Sequence, residues 1–347
     1  MELFFGEDGE RLRAPWRLLC QYLAYKAMVP LFTDVLVVAY LGILGGRGVV
    51  SPGVADASLL PGFPTLALIG GVAALIATLL SVWLAGRFLD RRPFADFGFH
   101  LRRSGWWLDL LFGLALGALL MTFVFVVELG LGWITVTGAW ETVQPGTPFA
   151  LAILPPIGLL LCVGVYEETL SRGYQLRNAA EGLNYPALGP RGAIVLAWVL
   201  SSIFFGALHI GNPNATFLST ANIAVAGLML GLGYVLTGEL AIPIGLHITW
   251  NLFQANVYGF PVSGLKPLGA TFLEIEQRGS EIWTGGPFGP EAGLIGVSAM
   301  ILGGLLITLW VRLRNGKVAI QTLLAEEPKP GRPAGDPCRQ SGAGGPD

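Results

Sequence analysis

The chain has 347 residues, of which 53% are hydrophobic and only 13% charged, with a formal net charge of −2. Soluble domains carry about 25% charged residues, so this deficit points to a polytopic membrane protein. The near-neutral balance gives no general affinity for nucleic acid.

Apolar periodicity places eight spans along the chain, all helical. The first covers about 27–44 and contains Asp34, the second 64–85, and the third 106–127 with Asp109 near its start. The fourth begins near 151, passes Pro155-Pro156 and continues through an acidic pair, Glu167-Glu168. The remaining four are 192–210, 217–236, 240–257 and 293–311. The expected fold is an all-α transmembrane bundle of about eight spans with both termini cytoplasmic. Positive charge supports that orientation. Arg11, Arg13, Arg17 and Lys26, then Arg87 to Arg103, then Arg172, Arg177 and Arg191, then Arg312, Arg314 and Lys317 fall on one side. Arg47, Lys266 and Arg278 fall on the other.

The organisation expected is an N-terminal segment with two spans (1–96), a core (97–258), a loop with the last span (259–324) and a disordered tail (325–347). Segment 259–291 either covers the mouth of the bundle or only connects spans. The start Met-Glu-Leu-Phe-Phe-Gly-Glu-Asp lacks the basic region of a cleavable signal peptide. Cys20, Cys162 and Cys338 are scattered and imply neither a disulfide framework nor a thiolate metal site. Gly227-Leu228-Met229-Leu230-Gly231, with Ala224, is a small-residue face suited to packing within one bundle. Trp106-Trp107 is expected at a membrane interface, as is His100 beside Arg102-Arg103.

A carboxylate at bilayer depth costs about 2.5–3.5 kcal/mol on insertion scales, so two in succession require a partner or a task. Glu168 and Arg172 are four residues apart on a helix and pair on one face. Glu167 points roughly 100° away and is left for proton transfer. Two of the chain's three histidines also lie in apolar segments, His209 after Phe205 and His247 before Asn251, each at helical spacing of four. Phe205 walls the space beside His209. A carboxylate, two histidines and an amide suit one reaction, activation of water with stabilisation of an oxyanion, which is amide hydrolysis. The chain has neither a Gly-x-Ser-x-Gly nucleophile nor a His-Glu-x-x-His zinc motif.

The ordered set Glu-Glu-x-x-x-Arg, Phe-x-x-x-His and His-x-x-x-Asn resembles the CPBP family over about 97–253. That family includes type II CAAX prenyl proteases and bacteriocin-processing and abortive-infection-like membrane proteins. The resemblance implies an intramembrane endopeptidase acting on membrane-associated, in part prenylated, substrates. It further implies that Glu167 and His209 activate water, that His247 and Asn251 hold the oxyanion, and that Glu168 and Arg172 support the site. Metal-dependent and metal-free chemistry both stay open, because Glu167, His209 and His247 also make a His₂Glu zinc set. The expected partners are the lipid bilayer, in a prokaryotic cell membrane, and a membrane-associated peptide or protein. A proton-coupled transporter and a non-catalytic immunity or scaffold protein are the other classes, the first disfavoured by the lack of an internal repeat. For Glu167 and His209 to meet, the fourth helix must be long and run past Arg177.

Overall fold

The computed structural model describes residues 11–45 and 62–328. Arg47 and the expected tail from 329 onward lie outside them. Eight long helices form the bundle: α1 (Ala14–Gly45), α2 (Phe63–Ala85), α3 (Ser104–Gly130), α4 (Phe149–Gly182), α5 (Gly189–Ala207), α6 (Phe217–Thr237), α7 (Ala241–Leu252) and α8 (Leu294–Asn315). Among the described residues, all but α7 are long and apolar enough to cross a membrane. α7 has 12 residues of α-helix followed by a 5-residue π-helical turn, Phe253–Val257. It is the central helix, with every residue from Ala241 to Trp250 buried.

Close approach to α7 depends on glycine. Hydrocarbon chains are as apolar as leucine, so helices in lipid associate through packing and hydrogen bonds. A Cβ on Gly113 of α3 would strike the Ile242 carbonyl, and one on Gly117 would strike the Leu246 carbonyl and Thr249 hydroxyl. Gly245 of α7 meets the Leu110 carbonyl in return, a Cβ there lying 2.5 Å from it. The small face of α6 is used as expected. Gly227 lies against Ser202 of α5, and Gly231 against the Trp198 ring. Trp198 Nε1 donates to the Leu228 carbonyl at 3.0 Å.

The long fourth helix is present. Pro155 and Pro156 sit in the first turn of its main α-helical part, Leu154–Glu168, where a missing N–H costs no intrahelical bond. The rod then continues as a π-helix, Thr169–Leu176, and returns to α-helix at Arg177–Gly182. α1 starts well before the expected 27–44 span. Arg17 within it, and Arg11 just before it, are tolerated because the bundle pairs them. Arg17 donates to Asp90 at 2.8 Å and to Glu181 at 2.6 Å, and Arg11 reaches Glu181 at 2.8 Å. Arg92 completes the cluster on Glu181. This arginine-rich end fastens α1, α2 and α4 together. Ala325 and Glu326, which open the expected tail, are packed beside it, with Asn184 Nδ2 donating to the Ala325 carbonyl at 3.0 Å.

The opposite end carries a feature absent from the all-α expectation. Strand β1 (Ile134–Thr142) pairs antiparallel with β2 (Ala270–Gln277), Ile134 opposite Gln277 and Thr142 opposite Ala270. Trp140, Phe149 and Phe272 join ring edges with centroids about 5 Å apart, fixing the ribbon to the start of α4. Asp109 is paired, accepting from Trp310 Nε1 at 2.8 Å and from Arg314 of α8. Trp107 is exposed, as an interfacial residue should be, whereas Trp106 is buried with Nε1 donating to the Gly98 carbonyl at 2.9 Å. His100 pairs with Glu239, Nδ1 to Oε1 at 2.8 Å.

If α7 is held by these close approaches, Gly117→Leu should lower the unfolding free energy in detergent by about 1–3 kcal/mol, the usual cost of overpacking. Gly70→Leu, where a side chain meets nothing within 4 Å, should leave the thermal transition in place.

Candidate active site

Glu168 is the buried centre of the site. Its Oε1 accepts from Arg172 Nη1 at 2.8 Å, the pair expected from the spacing. The same oxygen faces His247 Nδ1, also at 2.8 Å, a contact the sequence did not reveal. Arg172 uses its second nitrogen, Nη2, on the Gly227 carbonyl of α6 at 3.1 Å. Its guanidinium lies 4.3 Å above the Phe205 ring of α5, a cation–π contact. One ion pair thus joins α4, α5, α6 and α7.

Glu167 has no such cation on its own helix. The Tyr166 hydroxyl donates to its Oε1 at 3.3 Å, and its Oε2 stands 3.9 Å from His247 Nε2. Its side chain is 22% exposed, against 0% for Glu168, so the neighbours divide into one sealed and one accessible carboxylate.

His209 is not on a helix. α5 ends at Ala207, and His209 occupies the turn beyond it, its N–H bonded to the Gly206 carbonyl at 3.0 Å. The ring still lies by Phe205, centroids 5.1 Å apart, because Nδ1 bonds the Phe205 carbonyl at 2.8 Å. A carbonyl only accepts, so Nδ1 carries a proton, and in the neutral ring the lone pair is on Nε2. In His247, Nδ1 donates to the Glu168 carboxylate and Nε2 is directed toward Glu167. Phe205 packs edge-on to His247 at 6.2 Å.

Glu167, His209, His247 and Asn251 line one cavity of about 960 Å³, within the range of small-ligand pockets. Its walls are mostly apolar, including Leu159, Val163, Leu230 and Leu246, and α1 contributes Tyr22, Tyr25 and Lys26. Sequence reasoning placed Lys26 before the first span; the structure places it inside α1. Segment 262–268 and Glu291 line the cavity as well, so loop 259–291 covers its mouth. Asn212, in the turn after His209, donates to the Ser263 carbonyl at 3.0 Å, joining the cover to the site.

Among the described residues no group of three or more His, Cys, Asp or Glu side chains is placed to hold a metal ion. Glu167, His209 and His247 line one cavity, and no step below runs through a metal.

Two outcomes follow from this geometry. Arg172→Met strands a buried carboxylate and should cost about 3–5 kcal/mol of stability. Adding Glu168→Gln should recover part of that loss in the same unfolding assay. The second concerns the cover. Burial pushes the Glu291 carboxyl up to about 7 from 4.5, against hydrogen bonds from the Ser263 backbone and hydroxyl and the Gln254 amide. A folded value above the unfolded one stabilises fully below pH 4.5 and is lost as pH rises through 7. Protection factors in 259–291, which remove the intrinsic pH dependence of exchange, should therefore fall as pH rises from 4.5 to about 7, and Glu291→Gln should flatten that fall.

Residues 149–253 match the family model Rce1-like, described as type II CAAX prenyl endopeptidase Rce1-like. No curated protein and no solved structure matches the chain. The matched segment holds every motif residue, from Glu167 to Asn251, while α1 to α3 and α8 lie outside it. Over this segment the chain is similar to the Rce1-like family, in agreement with its resemblance to the CPBP family.

Proposed function

We propose that the chain is an intramembrane endopeptidase that cleaves the ends of membrane-associated, prenylated CAAX-type proteins. The observation that carries this reading is the convergence of Glu167, His209, His247 and Asn251 in one largely apolar cavity. Water held between Glu167 and His209 attacks the scissile carbonyl carbon. The Glu167 carboxylate takes the proton, and His209 Nε2, whose lone pair faces away from Phe205, accepts the second hydrogen bond of the water and orients it. The carbonyl oxygen becomes an oxyanion and accepts from Asn251 and from His247 Nε2–H. His247 already donates through Nδ1, so this second donation requires the imidazolium, whose charge Glu168 balances. Collapse breaks the C–N bond, and the proton on Glu167 passes to the leaving nitrogen. A carboxyl product and an amine product remain.

The family model and the apolar lining, which suits a substrate delivered from lipid, support the prenylated substrate. In proteoliposomes containing a farnesylated CAAX peptide, Glu167→Gln should lower cleavage by about 10²–10⁴-fold, the usual worth of a general base, with an unshifted thermal transition. 1,10-Phenanthroline should leave the wild-type rate intact. Proton transport without cleavage, abolished by the same substitution, would instead identify a transporter.

A further inference from the structure

Lys26 lies about three turns inside α1, at a depth where a charge is costly. It lines the cavity. The other cation of α1 is engaged. Arg17 is clamped by Asp90 and Glu181. Lys26 forms no hydrogen bond or ion pair among the described residues.

Its depth follows from a shared anchor. Arg17 and Glu181 touch at 2.6 Å, which brings α1 and α4 to a common level. Lys26 is nine residues beyond Arg17, and Glu167 fourteen before Glu181. At 1.5 Å per residue these are roughly 14 Å and roughly 21 Å from that level. The Lys26 backbone therefore lies roughly 7 Å nearer the arginine-rich end than Glu167, with its side chain lining the same cavity. An unpaired ammonium beside an amide-hydrolysing centre calls for an anion on the substrate. A peptide cut close to its C-terminus supplies one. In a Cys-aliphatic-aliphatic-X end cut after the cysteine, three residues separate the scissile bond from the terminal carboxylate. Three residues span roughly 10 Å when extended, which matches the offset with room for the lateral step between helices.

We propose that Lys26 is a substrate-binding residue that holds the α-carboxylate of the substrate's C-terminus and so sets where cleavage falls. The assignment rests on the protease reading above. A lysine is suited to this task as a compact point charge on a flexible stem.

The test is binding, so that it does not depend on turnover. The probe is a fluorescent farnesyl-Cys-Val-Ile-Met peptide, as free acid and as carboxamide, added to Glu167→Gln protein in nanodiscs. The acid should bind about tenfold tighter than the carboxamide, as expected for loss of one charge-assisted contact. Adding Lys26→Met should make the two bind alike, Lys26→Arg should keep the preference, and Lys266→Met should also keep it. Equal binding of acid and carboxamide to the parent protein overturns the proposal without any need for a folded Lys26 variant. So does a preference that survives Lys26→Met or disappears with Lys266→Met. Palmitate bound through Lys26 with no acid preference for the peptide assigns the site to a lipid carboxylate and overturns it too. Wild-type protein that binds the acid through Lys26 but leaves it uncut defeats the protease reading and leaves the Lys26 assignment standing.

Discussion

A fully buried carboxylate in the middle of a membrane bundle has to be neutralised from several directions. Glu168 meets that demand with Arg172 and His247 on a single oxygen. Arg172 in turn needs acceptors for its remaining donors, and it finds the Gly227 carbonyl and the Phe205 face. His247, Gly227 and Phe205 belong to three further helices, α7, α6 and α5. Such a buried pair is a poor source of net stability, because desolvation offsets most of the attraction. Its effect is geometric. These contacts tie α4 to α7 together in the register in which Glu167, His209 and Asn251 line one cavity.

The remaining fold serves that register. α7 carries His247 and Asn251 and is enclosed by the bundle, which requires neighbours with little side-chain bulk. Gly113 and Gly117 of α3 let that helix lie almost backbone to backbone against α7. The π-helical stretch begins directly after Glu168 and contains Arg172. Such irregular turns are frequent at functional sites, where they redirect side chains within an otherwise regular rod.

The sequence made the helices visible because apolar length is a strong signal, and made the Glu168–Arg172 pair visible because four residues is a helical repeat. The Glu168–His247 contact spans 79 residues and no local pattern encodes it. The start of α1 was misjudged for a physical reason. Arg17 and Lys26 look like the charged flank of a span, yet Arg17 is buried by partners on α2 and α4, and Lys26 faces the cavity. The β ribbon was missed because two short strands joined across a long interval carry little weight beside strong helices, although Ile134-Thr135-Val136-Thr137 alternates in the way a half-buried strand does. His209 was placed on a helix because its spacing from Phe205 is helical. The same separation also fits a turn that folds the ring back onto the Phe205 carbonyl.

That last difference sets the two histidines of the cavity apart for the opposite roles proposed for them. A histidine's role is set by what faces its Nδ1. His209 faces a backbone carbonyl, which holds one tautomer and gives no counter-charge, so Nε2 is kept as an acceptor suited to a water. His247 faces a carboxylate, which balances an imidazolium, so Nε2 is able to donate to a developing oxyanion. Exchanging the two environments would exchange the roles, because the rings themselves are identical. In the reaction proposed above Glu168 acts without touching the substrate. It fixes the ring of His247 through the oxygen that also accepts from Arg172. The adjacent Glu167 lines the cavity, where the proposed reaction uses it on water.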